Sequence, residues 1–101
     1  MKSVLPKIAF ERNARIYKVL ANQKRLEILN NIKFKERSVQ QLLEITGLPK
    51  ANLSQHLALL RHNRLVFYRK EGLNVYYRIV DPNIIEPCVI LHHLWKRKAL
   101  V

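Results

Sequence analysis

Cysteine, glycine and acidic residues are scarce in this sequence of 101 residues. It contains one cysteine, two glycines and four prolines, and its 7 Asp and Glu are outnumbered by 19 Lys and Arg. The single Cys88 excludes a disulfide within the chain, so we expect a cytoplasmic protein. Hydrophobic residues make up 49% of the chain, which suffices for a core and excludes a disordered basic tail.

Long apolar segments are also missing. No run approaches the roughly 20 residues that a membrane-spanning helix needs. Lys7, Glu11 and Arg12 interrupt the apolar stretch that a signal peptide requires. We therefore expect a soluble protein without a membrane partner, folded as one domain over residues 1–101.

The net charge of +12 favours an anionic partner, either nucleic acid or a lipid surface. Nucleic acid is the better prediction because no segment combines a Lys-rich face with a large apolar face, as a membrane-surface helix would.

Hydrophobic spacing predicts a mainly α-helical fold with one β-hairpin. Apolar residues recur with a helical period in most of the chain. Ser38 and Gln41 form a capping-box signature, and Gly47 is typical of the residue just after a helix. The predicted helices cover residues 8–20, 23–33, 39–46, 50–63 and 86–98.

The period changes from 3.6 to 2 after residue 64. Two runs of β-branched and aromatic residues, 65–68 and 75–80, flank the sequence Lys70-Glu71-Gly72-Leu73. Gly72 supplies the positive φ that a tight turn needs, so these runs predict a β-hairpin. Asp81 and Pro82 then suit the cap and first turn of the next helical segment.

Residues 39–63 have the layout of a helix-turn-helix. Only Leu48 and Pro49 follow Gly47 before the next helical pattern begins, so the two helices must cross steeply. In the second of them, Leu53, Leu57 and Leu60 share the inward side.

The opposite side of that helix carries short or hydrogen-bonding side chains, which a helix needs to read bases in a major groove. Gln55 can pair with adenine, Ser54 can donate or accept, and Ala51 can touch a thymine methyl. A polar helix face is often only solvated, but here it follows a tight turn and precedes a cationic hairpin. The predicted DNA-binding residues are Lys50, Ala51, Asn52, Ser54, Gln55, Arg69, Lys70 and Asn74.

Three segments of the chain carry a resemblance to a known family. They are Leu20-Ala21-Asn22-Gln23-Lys24-Arg25-Leu26-Glu27-Ile28-Leu29; Gly47-Leu48-Pro49-Lys50-Ala51-Asn52-Leu53-Ser54-Gln55-His56-Leu57, followed by Leu60-Arg61 and Leu65-Val66; and Arg69-Lys70-Glu71-Gly72 with Val75-Tyr76-Tyr77-Arg78-Ile79. In this order the motifs resemble those of the ArsR/SmtB family of winged helix-turn-helix repressors, over roughly residues 18–82. Gln23, Pro49 and Arg64 stand where that family usually has proline, serine and glycine, so any difference from the family is expected in the local turns and not in the fold.

The resemblance implies α-α-α-α-β-β-α topology and a homodimer built from the first and last helices. Periodicity supports the dimer independently, because the last helix is apolar round most of its circumference. Two-fold symmetry would place the reading helices about one DNA turn, roughly 34 Å, apart on a near-palindromic operator. The predicted dimer residues are Ile16, Tyr17, Leu20, Val89, His92 and Trp95.

Many relatives release DNA when they bind a metal, but the ligands that this family uses are mostly replaced here. The thiolate motif of the third helix corresponds to Ser38-Val39-Gln40. The four ligand positions near the last helix hold Asp81, Asn83, Leu94 and Arg97. We therefore predict no metal site and no cofactor, and leave the effector unidentified.

The histidines and the cysteine also have ordinary interpretations. His92 and His93 diverge by about 100° on a helix and cannot clamp one ion. His56, beside the buried leucines, is expected to pack or cap. Cys88 is either a redox sensor or, as we favour, a small buried apolar residue.

Three functions remain to be compared. The preferred hypothesis is a homodimeric, sequence-specific DNA-binding repressor without enzymatic activity. The alternative is a winged-helix interaction module that docks an acidic partner. A small basic ribonuclease ranks last, because its histidines would need to be paired with each other or with a carboxylate in a cleft.

Overall fold

The computed structural model describes residues 4–100. This part of the chain forms five α-helices, a three-stranded antiparallel sheet and a short 3-10 helix. None of these helices is both long and apolar enough to cross a membrane. The elements are α1 (Lys7–Leu20), α2 (Gln23–Asn31), β1 (Arg37–Ser38), α3 (Val39–Thr46), α4 (Lys50–His62), β2 (Val66–Glu71), β3 (Asn74–Ile79), the 3-10 helix Pro82–Ile84, and α5 (Glu86–Lys96).

The caps expected for α3 are confirmed. The Ser38 hydroxyl accepts a hydrogen bond from the Gln41 amide at 3.1 Å, and the Gln41 side chain accepts one from the Ser38 amide at 2.9 Å. Gly47 then adopts φ 68° and ψ 13°, the left-handed conformation that ends the helix. Both ends of α3 are therefore fixed by contacts within residues 38–47.

The segment after β3 is likewise set by its capping residue. The Asp81 carboxylate accepts a hydrogen bond from the Asn83 amide at 2.9 Å, at the start of the 3-10 helix. The regular helix α5 begins at Glu86, as predicted, with Pro87 in its first turn. Pro87 is tolerated there because the first amides of a helix have no partner within it.

The sheet has one more strand than the sequence predicted. β1 pairs with β3, with Arg37 opposite Tyr77 and Ser38 opposite Tyr76. A strand of two residues is too short to show alternation, and it lies at the end of a charged segment that we had interpreted as a connection. The strand order β1-β3-β2 places α3 directly beside the hairpin.

Three helix ends also differ from prediction. α2 ends at Asn31 and not at 33, because the Ile32 carbonyl accepts a hydrogen bond from the Ile79 amide of β3. α4 ends at His62 and not at 63. α5 ends at Lys96 and not at 98, since Lys98 turns to a positive φ of 60°.

The hairpin turn is tighter than expected. β2 continues through Glu71 and β3 starts at Asn74, so Gly72 and Leu73 alone form the loop. Gly72 has φ 62° at the first central position, which is typical of a type II′ turn. The side chain of Leu73 is fully exposed at the tip.

The core lies between α2, α3, α4 and the sheet. Its most completely buried side chains come from these elements and from the start of the last helical segment. The predicted inward leucines of α4 are all buried there, which confirms the assignment of its two sides. The fully buried residues are Ile28, Leu29, Ile32, Leu42, Leu53, Leu60, Ile79 and Ile85.

Candidate DNA interface

The outward side of α4 is open to solvent along its whole N-terminal half. Lys50, Ala51, Asn52, Ser54 and Gln55 are all exposed, while Leu53 between them is fully buried. A face of short and amide side chains is therefore held outward by leucines anchored in the core.

The hairpin tip lies beside that face. Lys50 and Ser54 of α4 line one side of a groove of about 320 Å³, and Leu73 and Asn74 of the hairpin line the other. The predicted residues from two elements thus converge on one concave surface. We call α4 the reading helix and the hairpin β2–β3 the wing.

Gln40 is a lining residue that sequence reasoning assigned no role in DNA binding. It is exposed in the first turn of α3 and borders the same groove as Lys50 and Asn74. Its position follows from the capping box, which fixes the N-terminus of α3 at Ser38, so that Val39 packs against the core and Gln40 faces outward. That motif was visible in the sequence, but the proximity of α3 to the wing tip depends on the unpredicted strand β1.

The start of α4 favours a phosphate for a simple chemical reason. Its N-cap is Pro49, which has no side-chain acceptor for the first helical amides. Those amides and the positive end of the helix dipole face the same end as the Lys50 ammonium. An anion at this point would complete hydrogen bonding that the sequence itself leaves open.

Arg69 of the wing is held by carboxylates. Its Nε lies 3.0 Å from one Glu36 oxygen, and its Nη1 bonds Glu71. The hydrogen bonds of Arg69 hold the pKa of Glu36 below its ordinary value, and both carboxylates raise the pKa of Arg69. The guanidinium also lies 4.5 Å from the centroid of the Tyr76 ring.

Arg69 and Lys70 therefore differ in how far their charge is already neutralised, which the sequence alone did not show. Both are exposed, but Arg69 already has counter-charges while the wing presents Lys70 on the opposite face of the same strand. Lys70 is the stronger candidate for direct phosphate contact.

An arginine of the reading helix contacts the wing. The Cζ atom of Arg61 lies 4.4 Å from the centroid of the Tyr68 ring in β2. Tyr68 stacks in turn on Tyr77 of β3, with centroids 5.9 Å apart. Reading helix and wing are thereby joined by side chains as well as by the short connection between them.

Arg64 lies in that connection, at the position where the family usually has glycine. It adopts φ 60°, the left-handed conformation that glycine adopts without steric cost. The turn geometry expected from the family is thus retained despite the substitution, at the cost of local strain.

The six predicted dimer residues fall into two groups. Ile16 and Leu20 are partly buried against the chain's own core. Tyr17 and Trp95 are each 58% exposed, His92 is exposed, and Val89 is half-buried. Their role in an interface stays a prediction.

The positions that correspond to family metal ligands have other roles or are exposed. Ser38 is buried as the cap of α3, and its hydroxyl already accepts the Gln41 amide. Within residues 4–100, no three His, Cys, Asp or Glu side chains lie close enough together to bind a metal. Cys88 was expected to be a small buried apolar residue, and the structure packs it against the edge of the core but buries it only partly.

Known proteins match the part of the chain that contains the helix-turn-helix and the start of the wing. A family model described as "Bacterial regulatory protein, arsR family" matches residues 22–68. The transcriptional repressor PagR of Bacillus anthracis is 33% identical over 78 residues, which cover 76% of this chain and 78% of PagR. This chain belongs to the ArsR family. It is accordingly a transcriptional regulator and not an enzyme.

Solved structures of ArsR-type proteins share the fold. HlyU from Vibrio cholerae, a transcriptional activator, superposes with a TM-score of 0.79 at 33% identity, covering 89% of this chain and 98% of HlyU. The homodimeric winged helix-turn-helix DNA-binding domain Mb0332 from Mycobacterium bovis gives 0.75 at 29% identity, covering 98% and 94%. The winged helix-turn-helix assignment is confirmed.

The matched region spans only 53% of another curated relative, a regulator from Mycobacterium tuberculosis.

Proposed function

We propose that this ArsR-family chain is a homodimeric repressor that binds a near-palindromic operator in the cytoplasm. Residues 1–101 form its DNA-binding domain. The reading helix lies in the major groove, the wing follows the adjacent backbone, and binding blocks access of RNA polymerase to a promoter. The family supports DNA binding, and the similarity to the transcriptional repressor PagR supports repression, although HlyU is a transcriptional activator.

The observation that carries the proposal is the single concave surface formed by Lys50, Ser54 and Asn74. It combines a helix face without bulky side chains with two sources of positive potential, the α4 N-terminus and the wing. A major groove accepts such a helix, and the neighbouring phosphates match the positive charge.

Each predicted residue has a distinct role in this interface. Gln55 and Ser54 read base edges, Ala51 packs against a thymine methyl, and Asn52 adapts to either base or backbone. Lys50 and Gln40 hold the phosphate at the helix N-termini. Lys70 and Asn74 hold the backbone beside the wing, while Arg69 supports the wing through its carboxylates.

The homodimer is supported by the apolar surface of α1 and α5. Ile8, Phe10 and Tyr17 of α1 are exposed, as are Leu91 and Trp95 of α5. A second copy that covers this surface would orient two reading helices toward successive turns of one duplex. The similar Mb0332 domain is homodimeric, which supports a homodimer here.

The sharpest test compares two glutamines on different helices. Genomic fragments bound by the purified protein identify the operator, and fluorescence anisotropy then measures the affinity of each variant. At one base pair of the operator, Gln55→Ala should reduce the difference in binding free energy between the preferred base pair and the other base pairs by about 1–3 kcal/mol. The matched control Gln23→Ala changes an exposed residue at the start of α2 and should leave discrimination unchanged.

Lys70→Ala separates phosphate contact from base reading. It should weaken operator and random DNA alike and make the salt dependence shallower by about one counterion. Equal losses on both DNAs for Gln55→Ala would contradict its role in reading bases. If the protein binds no genomic fragment more tightly than random DNA, the alternative hypothesis is favoured, in which the winged helix docks an acidic protein partner.

The sign of regulation is tested in a promoter reporter. Repression predicts that deletion of the gene raises transcription from the selected promoter, and that the operator overlaps the polymerase site. Lower transcription after deletion would instead assign the activator role.

A further inference from the structure

Arg25 of α2 joins the end of α1 to the middle of the reading helix. Its Nε donates a hydrogen bond to the Val19 carbonyl at 2.6 Å. Its Nη1 lies 3.2 Å from Nδ1 of His56. Val19 is in the last turn of α1, where carbonyls lack an intrahelical partner, so one guanidinium both caps α1 and holds α4.

The chemistry of the pair fixes the state of His56. A guanidinium only donates hydrogen bonds, so Nδ1 must supply a lone pair and the proton of the neutral ring must lie on Nε2. Burial and the charge of Arg25 both lower the pKa of His56. The contact therefore exists only with a neutral imidazole.

Arg25 dominates the charge around His56 in the described residues. On α2, Lys24 pairs with Glu27 and also donates to the Thr46 carbonyl of α3. Glu44 of α3 is exposed. The charged residues of β2, namely Arg69, Lys70 and Glu71, lie in the wing, and α1 contributes the Val19 carbonyl, which Arg25 already occupies. Among the described residues, Arg25 is the charged side chain whose field acts on the pKa of His56, and no carboxylate raises that pKa.

We propose that Arg25 and His56 form a proton-sensitive joint that positions the reading helix against α1, and that protonation of His56 weakens specific DNA binding. The inference rests on the proposed DNA-binding function. A protonated ring carries N–H groups on both nitrogens and places a second positive charge beside the guanidinium, so the hydrogen bond is lost. Gln55 is the residue next to His56, so any movement of this turn displaces the base-reading face.

The sign of the pH effect follows from the lowered pKa. Above the ordinary histidine value of 6.5 the ring is neutral and the joint is closed. As the pH falls below that value the unfolded chain takes up a proton before the folded one, so the joint's contribution to stability declines. The hydrogen bond between Arg25 and His56 breaks as the pH falls through the lowered pKa that His56 has in the folded protein.

The test measures operator and random DNA affinity between pH 8 and pH 5 at constant ionic strength. For the natural protein, the ratio of the two affinities should fall by about tenfold at the acidic end. His56→Asn places an oxygen acceptor near the Nδ1 position at every pH, so its ratio should stay nearly constant. The control His62→Asn, an exposed histidine at the end of the same helix, should behave like the natural protein.

Two results would overturn the joint. One is a pH dependence of the affinity ratio that persists in His56→Asn. The other is an unchanged ratio in the natural protein after nuclear magnetic resonance shows His56 to be protonated.

A measurement without DNA keeps this proposal separate from the DNA-binding proposal. In the free protein, the amide resonances of Ala21 and Asn22 at the end of α1 should shift with the same midpoint as the His56 ring, and less in Arg25→Lys. Failure to bind DNA while these shifts occur would reject the proposed function and leave the joint in place. Absence of these shifts would reject the joint itself.

Discussion

The layer that carries the proposed DNA-reading surface buries its apolar side chains within one chain, whereas the layer formed by α1 and α5 leaves many of its apolar side chains exposed. α4 buries three leucines, and α2 and the sheet supply half of the other buried core residues. Within the described residues, α1 buries only Val19 and α5 buries no side chain fully. Trp95, the single tryptophan, is 58% exposed.

This difference indicates that the fold of one chain depends mainly on α2, α3, α4 and the sheet, whereas the proposed dimer depends on α1 and α5. The DNA-reading layer is stabilised by burial in its own core, so its geometry is set before a partner arrives. The α1–α5 layer retains exposed apolar surface, which a second copy would cover in the proposed homodimer. Substitutions in the two layers should accordingly affect two different equilibria.

The largest expected effect is the loss of a buried leucine. Leu53→Ala should lower the free energy of unfolding by about 2–5 kcal/mol, because it leaves a cavity under the reading helix. The matched substitution Leu91→Ala, on the exposed side of α5, should change the free energy of unfolding by less than about 0.5 kcal/mol at a concentration where the protein is monomeric. Urea denaturation of both variants measures the difference, and equal losses would contradict the contrast.

A smaller effect is expected from the exposed tryptophan. Trp95→Ala should weaken dimerisation by about 2 kcal/mol, roughly thirtyfold, while the unfolding of the monomer is nearly unchanged. Sedimentation equilibrium measures the dimer constant. Phe34→Ala, which removes an 83% exposed aromatic residue outside that layer, serves as control. An unchanged dimer constant in Trp95→Ala would place the interface elsewhere.

The strained turn within the DNA-reading layer predicts a stabilising substitution. Arg64→Gly should raise the free energy of unfolding by about 0.5–1 kcal/mol, because glycine adopts the positive φ without a clash. Arg61→Gly, inside α4, should lower it by a similar amount or more, through loss of helix propensity and of the contact with Tyr68. Thermal denaturation distinguishes the two, and a destabilised Arg64→Gly would show that the side chain has a role beyond its backbone.

The smallest expected effect concerns the carboxylates of the wing. Glu36→Gln should raise affinity for operator and random DNA alike by about twofold, because Arg69 loses one counter-charge. Anisotropy titrations at several salt concentrations test this. A gain confined to the operator would mean that Arg69 contacts bases and not phosphate.

Local signals explain why much of the fold was predictable. The capping box at Ser38 and Gln41, the positive φ at Gly47 and the leucine spacing of α4 each depend on a few neighbouring residues. These determine the helix-turn-helix and the exposure of the five predicted DNA-binding residues that lie in α4. The family motifs then fix the order of the elements.

Features that depend on distant contacts were not predictable. β1 exists because Arg37 and Ser38 find Tyr77 and Tyr76, some 40 residues later. The engagement of Arg69 by Glu36 depends on that pairing, and so does the position of Gln40 beside the wing tip. Likewise, the partner of His56 lies on α2, 31 residues away along the chain.

The contact between Arg61 and Tyr68 has a consequence for the choice of operator. It restrains the reading helix relative to the wing, and so restrains the distance between the surfaces that we propose to contact the major groove and the backbone. Two surfaces restrained in this way fit best on a duplex whose groove width and bend match their separation. Base pairs that no side chain touches should then contribute to affinity through their deformability.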